Sequence, residues 1–195
     1  NKFFSTIASN IDSKIIPTNY QFYNALINPN ENSIFLEPTT ETEIQMTIST
    51  ISKNKSTGPN SIPTKLLHEL KYIISKPLSN LVNLAFVTGT FPDLFKLAKV
   101  IPVYKKGDPL LSNNYRPISL LSNIGKLIEK LVHTRIYSFF EKNDCLYNQK
   151  SGFRASHSTN DALIQITETI RAFLVKGQFS CGVFLDFQKA FDTES

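Results

Sequence analysis

Val183-Phe184-Leu185-Asp186-Phe187-Gln188-Lys189-Ala190-Phe191-Asp192 lies near the end of a 195-residue chain. Phe179, Cys181, Val183 and Leu185 alternate upstream, so Phe179–Asp186 reads as a strand with Asp186 at its end. A carboxylate closing a nearly all-apolar strand is costly unless it is paired or bound to a metal. Strand ends often present catalytic residues. Taken alone, a strand-end aspartate is more often a turn or cap residue, so the neighbouring segments have to be read with it.

Working back toward the N-terminus, Ser158-Thr159-Asn160-Asp161 is a capping-box pattern. It opens a helix with Leu163, Ile166, Ile170 and Phe173 on one face, which Gly177 ends. Asn143–His157 reads as a loop and contains Gln149-Lys150-Ser151-Gly152-Phe153-Arg154. A long helix is predicted from Asn123 to Lys142, with Leu127, Ile128, Leu131 and Ile136 on its face. Before it come two β-prone stretches, Val100–Tyr104 and Arg116–Leu121. The first contains Pro102, which suits an edge strand or a bulge, and Lys105-Lys106-Gly107-Asp108 follows as a turn. The pair is compatible with a hairpin whose tip is basic.

The first 90 residues read as helical. Phe4, Ile7, Ala8 and Ile11 recur at helical spacing, and Asn28–Asn32 is a loop. Thr40-Glu41-Thr42-Glu43 is a capping box before Ile44, Ile48 and Ile51. Gly58-Pro59 cannot continue that helix. One helix then starts at Pro63, with Leu66, Leu67, Leu70 and Ile74 on its face. Another starts near Pro77, with Leu78, Leu81, Val82 and Ala85, and Gly89 is its predicted C-cap.

Hydrophobic content of 41% fits a folded chain rather than a disordered one. No apolar run is long enough to span a bilayer, so no membrane partner is expected. Cys145 and Cys181 form no C-x-x-C pattern and are expected as small buried hydrophobes in a reducing compartment. Net charge is +5 and the sequence pI is about 9.1. This balance favours a polyanionic partner, with nucleic acid the commonest. Lys96, Lys99, Lys105, Lys106 and Arg116 fall close together, and Lys150 and Arg154 form a second group. Either group reads equally as a solvated lysine face. His157 is expected to be structural rather than catalytic.

The nine residues Phe184–Asp192 resemble the first catalytic motif of reverse transcriptases, in the F-x-D-x-x-K-A-F-D form of non-LTR retrotransposons and group II introns. Four upstream segments agree with that family. Ala98–Asp108 resembles its first fingers motif and Asn114–Leu120 the next. Gln149–Arg154 is similar to a Q-x-G-F-R template-side segment. Lys55–Pro63 is similar to a K-S-x-G-x-D-x-I-P segment, with Asn60 where the family often has Asp. Phe95 stands where the family usually has Trp. Nearly the whole chain is covered, least well before about Thr39.

The resemblance implies an α+β chain. Residues 1–90 would be a helical N-terminal extension, and residues 91–195 the fingers and start of the palm of a right-hand polymerase. Its function would be RNA-directed DNA synthesis by a two-metal mechanism with two Mg2+ ions. RNA template, DNA primer and deoxynucleoside triphosphates would be the partners, in nucleus or cytoplasm. By resemblance Asp186 and the Phe187 backbone carbonyl hold metal, and Phe191 packs under the incoming sugar. Lys105 and Arg116 grip the triphosphate, with Lys106 an open alternative to Lys105. Gln149, Gly152, Phe153 and Arg154 lie against the template. Asp192 reads as a cap or turn residue.

The family's two further aspartates belong to a later Y/F-A-D-D motif that this sequence does not contain. The expectation is therefore an N-terminal fragment, inactive alone, with an uncovered sheet edge near Val183. The alternative is a non-catalytic RNA-binding remnant or the product of a decayed element.

Overall fold

The computed structural model describes residues 31–186. The chain divides into two compact units: residues 31–143 are one, and residues 144–186 are the described part of the other. The expected helix around Phe4–Ile11 lies outside the described residues. Within them the class is α+β, with helices and one two-stranded sheet.

In the first unit the element order is α1 (Glu41–Thr50), α2 (Thr64–Thr88), a one-turn α3 (Asp93–Lys96), β1 (Ala98–Tyr104), β2 (Tyr115–Leu121) and α4 (Asn123–Lys142). Its core joins Ile44 and Ile48 of α1 with Leu67, Leu78 and Val82 of α2, Phe95 of α3, and Leu127, Ile128 and Leu131 of α4. A ten-residue helix such as α1 is marginal in isolation. Burial of Ile44 and Ile48, both 0% exposed, holds it in place at roughly 1.5–3 kcal/mol per side chain.

The capping box of α1 forms in part. Thr40 Oγ1 accepts from the Glu43 backbone N–H at 3.1 Å. The Glu43 carboxylate, however, turns to Arg135 of α4, which donates to its two oxygens at 2.9 Å each. It also accepts from the Thr39 hydroxyl at 2.6 Å. Arg135 further donates to the Glu37 carbonyl at 2.7 Å and lies over the Phe86 ring at 5.2 Å. One guanidinium thus ties the segment before α1, α1 itself and α2 to α4 through its planar fork. The Arg135 hydrogen bonds are the first cause holding the Glu43 carboxyl below its usual pKa, and partial burial opposes them.

The sequence predicts two helices over 63–88, but one helix of 25 residues runs through Pro77. An interior proline removes one i→i−4 bond and crowds the preceding turn. Here Ile73, Lys76 and Pro77 all lie on the exposed side of α2, where water can serve the carbonyl that loses its donor. The buried Ser75 and Ser79 lie on the inner side and satisfy their hydroxyls on the Tyr72 and Lys76 carbonyls. Leu66 and Leu70, expected on the inner face, are 43% and 37% exposed. Gly89 ends the helix at φ 62°, as a C-cap glycine should.

The segment similar to K-S-x-G-x-D-x-I-P packs where β2 passes into α4. A Cβ on Gly58 would sit 2.4 Å from the Leu121 carbonyl carbon and 2.5 Å from the Ser122 nitrogen. Only glycine permits that approach of two backbones. Asn60 donates to Ser122 Oγ at 2.8 Å, and Asn123 donates to the Ile62 carbonyl at 2.7 Å.

In the second unit, α5 (Thr159–Val175) starts with the expected capping box between Ser158 and Asp161. The Ser158 side-chain hydrogen bond, with its backbone N–H second, lowers the Asp161 pKa. Gly177 at φ 64° ends this helix. Three expectations are corrected here. Phe179–Asp186 is not a strand among the described residues. A strand exists only through the ladder it makes with a neighbour, and no described segment pairs with this one. Val183 is 79% exposed and Leu185 81% exposed, so no described sheet edge exists at Val183. Cys145 and Cys181 are both exposed rather than buried, because each sits in a segment outside any packed element.

Candidate nucleotide- and template-binding site

Strands β1 and β2 pair antiparallel with Val103 opposite Arg116 and Pro102 opposite Pro117. The Lys105 backbone N–H donates to the Asn114 carbonyl at 2.8 Å, which extends the ladder one residue past Tyr104. Hydrogen-bonded and non-hydrogen-bonded pairs alternate in such a ladder. The Lys105–Asn114 pair therefore fixes Val103–Arg116 as hydrogen-bonded and Pro102–Pro117 as non-hydrogen-bonded. Both prolines sit where the sheet asks for no donor, and each removes a donor from an outer edge.

The same parity sorts the side chains. Opposite residues share a face and alternate along each strand, so Lys99, Ile101, Val103 and Lys105 lie with Arg116, Ile118 and Leu120. Lys105 and Arg116 are diagonal neighbours on that face, with backbones about 7–8 Å apart. Lys106, one residue on, leaves the ladder. All three cations are exposed. Lys96, by contrast, is engaged with Asp93 at 2.6 Å.

The turn expected at Lys105–Asp108 opens a ten-residue connection, residues 105–114, fastened by its own bonds. Tyr104 Oη donates to the Gly107 carbonyl at 2.5 Å, and Tyr115 Oη donates to the Pro109 carbonyl at 2.9 Å. The two tyrosine rings meet edge-on at 5.6 Å. Asn114 donates to the Asp108 carbonyl at 2.8 Å, and the Asp108 carboxylate accepts from the Leu110 N–H at 2.9 Å. Gly107 has φ 97°, and a Cβ there would meet the Asn114 amide at 2.7 Å. These fastenings leave the ammonium groups of Lys105 and Lys106 outside them. Sequence reasoning misses the tyrosine and asparagine fastenings. Their only signal is a tyrosine at each end of the hairpin and an asparagine beside the second.

The template-side candidates belong to the second unit. Gln149 is exposed and accepts from Tyr147 Oη at 3.1 Å. Lys150 donates to the Gly152 carbonyl and lies 5.7 Å over the Phe153 ring. Arg154 donates to the Tyr147 carbonyl at 3.4 Å. Phe153 is fully exposed and has φ 57°, a costly conformation for a bulky side chain. The left-handed backbone therefore belongs to Phe153 and not to Gly152, around which a Cβ would meet nothing within 4 Å. The apolar face of α5, including Ile166, Ile170 and Phe173, lines an open hollow of about 780 Å³ that Phe179 and Phe184 also line.

Asp186 is exposed, and Phe187 and Phe191 lie outside the described residues. No group of three or more His, Cys, Asp or Glu capable of holding a metal occurs among the described residues. An oxygen-liganded divalent ion needs several such ligands, so the described side chains do not by themselves form its site. No described helix is long and apolar enough to cross a membrane.

Residues 103–193 match the reverse transcriptase (RNA-dependent DNA polymerase) family. The chain is 27% identical over 193 residues to the RNA-directed DNA polymerase from mobile element jockey of Drosophila melanogaster, covering 95% of this chain and 21% of that protein. It is 30% identical over 169 residues to the probable RNA-directed DNA polymerase from transposon BS of the same fly, covering 86% and 19%. A third relative, from transposon X-element, is 32% identical over 142 residues, covering 72% and 16%. The chain thus spans about a fifth of the length of the curated relatives it matches.

Proposed function

We propose, for a chain that belongs through residues 103–193 to the reverse transcriptase family and is similar over most of its length to jockey-type non-LTR enzymes, that it supplies the nucleotide-gripping fingers and the first catalytic aspartate of an RNA-directed DNA polymerase. The observation that carries this reading is the hairpin register, which puts Lys105 and Arg116 on one face. A point charge and a planar fork side by side suit the triphosphate of an incoming deoxynucleotide. Because residues 105–114 are fastened internally, little ordering is needed when the anion arrives.

Gln149, Gly152, Phe153 and Arg154 are assigned to the template strand. The exposed Phe153 ring offers a stacking surface, and the Gln149 and Arg154 side chains offer polar contacts to sugar and phosphate. Asp186 and the Phe187 carbonyl are assigned to a divalent ion, Mg2+ by its preference for oxygen. Such an ion would neutralise phosphate charge in phosphoryl transfer. Phe191 is assigned to the incoming sugar. RNA template, DNA primer and deoxynucleoside triphosphates are the partners on this reading.

The test is equilibrium binding of a fluorescent deoxynucleoside triphosphate, and of the matching monophosphate, to the chain and to Arg116→Gln. Tighter binding of the triphosphate, with that preference reduced at least fivefold in the variant, is expected. Equal affinity for both nucleotides, or a preference unaffected by the substitution, would overturn the assignment.

A further inference from the structure

The C-terminal end of α1 and the loop after it, residues 49–57, gather lysines from three parts of the first unit. Lys71 of α2 donates to Ser49 Oγ at 3.1 Å. Lys130 of α4 donates to Thr50 Oγ1 at 2.6 Å, and Lys126 of α4 donates to the Ser56 carbonyl at 3.3 Å. Lys53 and Lys55 belong to the loop and are exposed. His68 also reaches this loop, with Nε2 at 2.7 Å from the Ile51 carbonyl.

A helix C-terminus attracts cations, which accounts for one or two of these groups but not five. Each ammonium has three protons, and the oxygens that accept from Lys71, Lys126 and Lys130 are neutral. None of the five lysines forms an ion pair among the described residues. The nearest acids in sequence, Glu69 and Glu129, are both exposed and leave a positive excess. Ser52, Asn54 and Thr57 add polar side chains of the kind that bind phosphate oxygens.

A shallow hollow of about 330 Å³ adjoins Lys71, lined by Thr42, Gln45, Met46, Ser49, Lys71 and Tyr72. Tyr72 is 71% exposed, with the Lys71 ammonium 5.0 Å from its ring centroid. A cationic track beside an exposed aromatic ring is the arrangement that holds single-stranded nucleic acid, phosphates along the track and a base against the ring.

We infer that residues 49–57, with Lys71, Tyr72, Lys126 and Lys130, form a second nucleic-acid surface that binds the backbone of single-stranded RNA. It lies at the base of the β1–β2 hairpin, where Gly58 meets Leu121. Lys105 follows directly on the far end of a seven-residue strand, roughly 20–25 Å from that base. The surface is therefore separate from the nucleotide grip and can hold RNA whether or not the triphosphate assignment stands.

Fluorescence anisotropy of a labelled 20-nucleotide oligouridine against the whole chain, over a salt series, tests this. The variant Lys53→Gln/Lys55→Gln/Lys126→Gln/Lys130→Gln should bind at least tenfold more weakly at low salt. Removing one lysine–phosphate interaction should reduce the slope of log affinity against log salt by about 0.7. Tyr72→Ala should weaken binding about tenfold with the slope unchanged. Lys105→Gln/Arg116→Gln should retain the parent affinity within threefold. Should the quadruple variant melt at lower temperature, Lys53→Gln/Lys55→Gln alone should still lower the slope by about 1.4. An unchanged slope in both lysine variants would overturn the inference. So would equal binding to anionic phospholipid vesicles, which would make the surface a nonspecific polyanion patch.

Discussion

The two units of this chain satisfy their apolar side chains in different ways. Residues 31–143 bury Ile44, Ile48, Val82, Leu127, Ile128 and Leu131 to 2% exposure or less. Helix α5 of the other unit buries none of its residues, and its apolar face lines an open hollow instead. A core of interlocked helices can position a hairpin rigidly, whereas an unburied helix face contributes little to its own stability. The nucleotide-side candidates thus stand on the packed unit, and the template-side candidates stand on the unit with little described core.

Core truncation separates the two regions most sharply. Leu127→Ala should cost about 2–5 kcal/mol, because a buried side chain leaves a cavity. Ile170→Ala, at a position 41% exposed, should cost less than about 1 kcal/mol. Thermal or urea denaturation followed by circular dichroism reads both. Equal losses would erase the contrast.

Gly58→Ala comes next, at about 1–3 kcal/mol, because its Cβ would press on the backbone of Leu121 and Ser122. Gly152→Ala, in open space, should be within about 0.5 kcal/mol of the parent. A Gly58 variant as stable as the parent would mean that this segment does not brace the base of the hairpin.

A smaller effect is expected at Glu43. Its folded pKa is lowered, chiefly by the Arg135 hydrogen bonds. The stabilisation is therefore present above the ordinary glutamate value of 4.5 and fades as pH falls through the lower folded value. The carboxylate side chain is 35% exposed, so Glu43→Gln should cost only about 1 kcal/mol at pH 7 after solvent screening. The parent and variant melting temperatures should converge below the folded pKa. A gap that persists there would assign the effect to packing rather than charge.

The smallest change is expected at Ser158→Ala, about 0.5–1 kcal/mol for the lost cap. It should be read as faster amide exchange in the first turn of α5, with residues 31–143 unaffected. Faster exchange spreading into α1 or α4 would show that the two units unfold together.

The packed unit is the easier one to read from sequence. The bounds of α4, the cap at Thr40, the C-cap at Gly89 and the hairpin all follow from local patterns that tertiary packing happens to support. Pro77 misleads because its effect depends on which side of the helix it occupies, and periodicity alone does not say. The Arg135–Glu43 clamp joins residues 92 apart in sequence, so no local window contains it. Phe179–Asp186 has the alternation of a strand, yet alternation supplies only the side-chain half. The backbone half depends on a partner that no described segment provides. At the candidate site, the residue types at 105, 116, 149 and 154 are legible. The choice between Lys105 and Lys106 is not, because it depends on how far the ladder extends.

That choice gives the most direct test of the proposed nucleotide grip. Triphosphate binding to the chain should be compared for Lys105→Gln and Lys106→Gln. The ladder through Lys105 and Asn114 predicts that Lys105→Gln weakens binding at least fivefold and Lys106→Gln less than twofold. The reverse order, or equal losses at the two positions, would contradict a grip built on the face shared with Arg116.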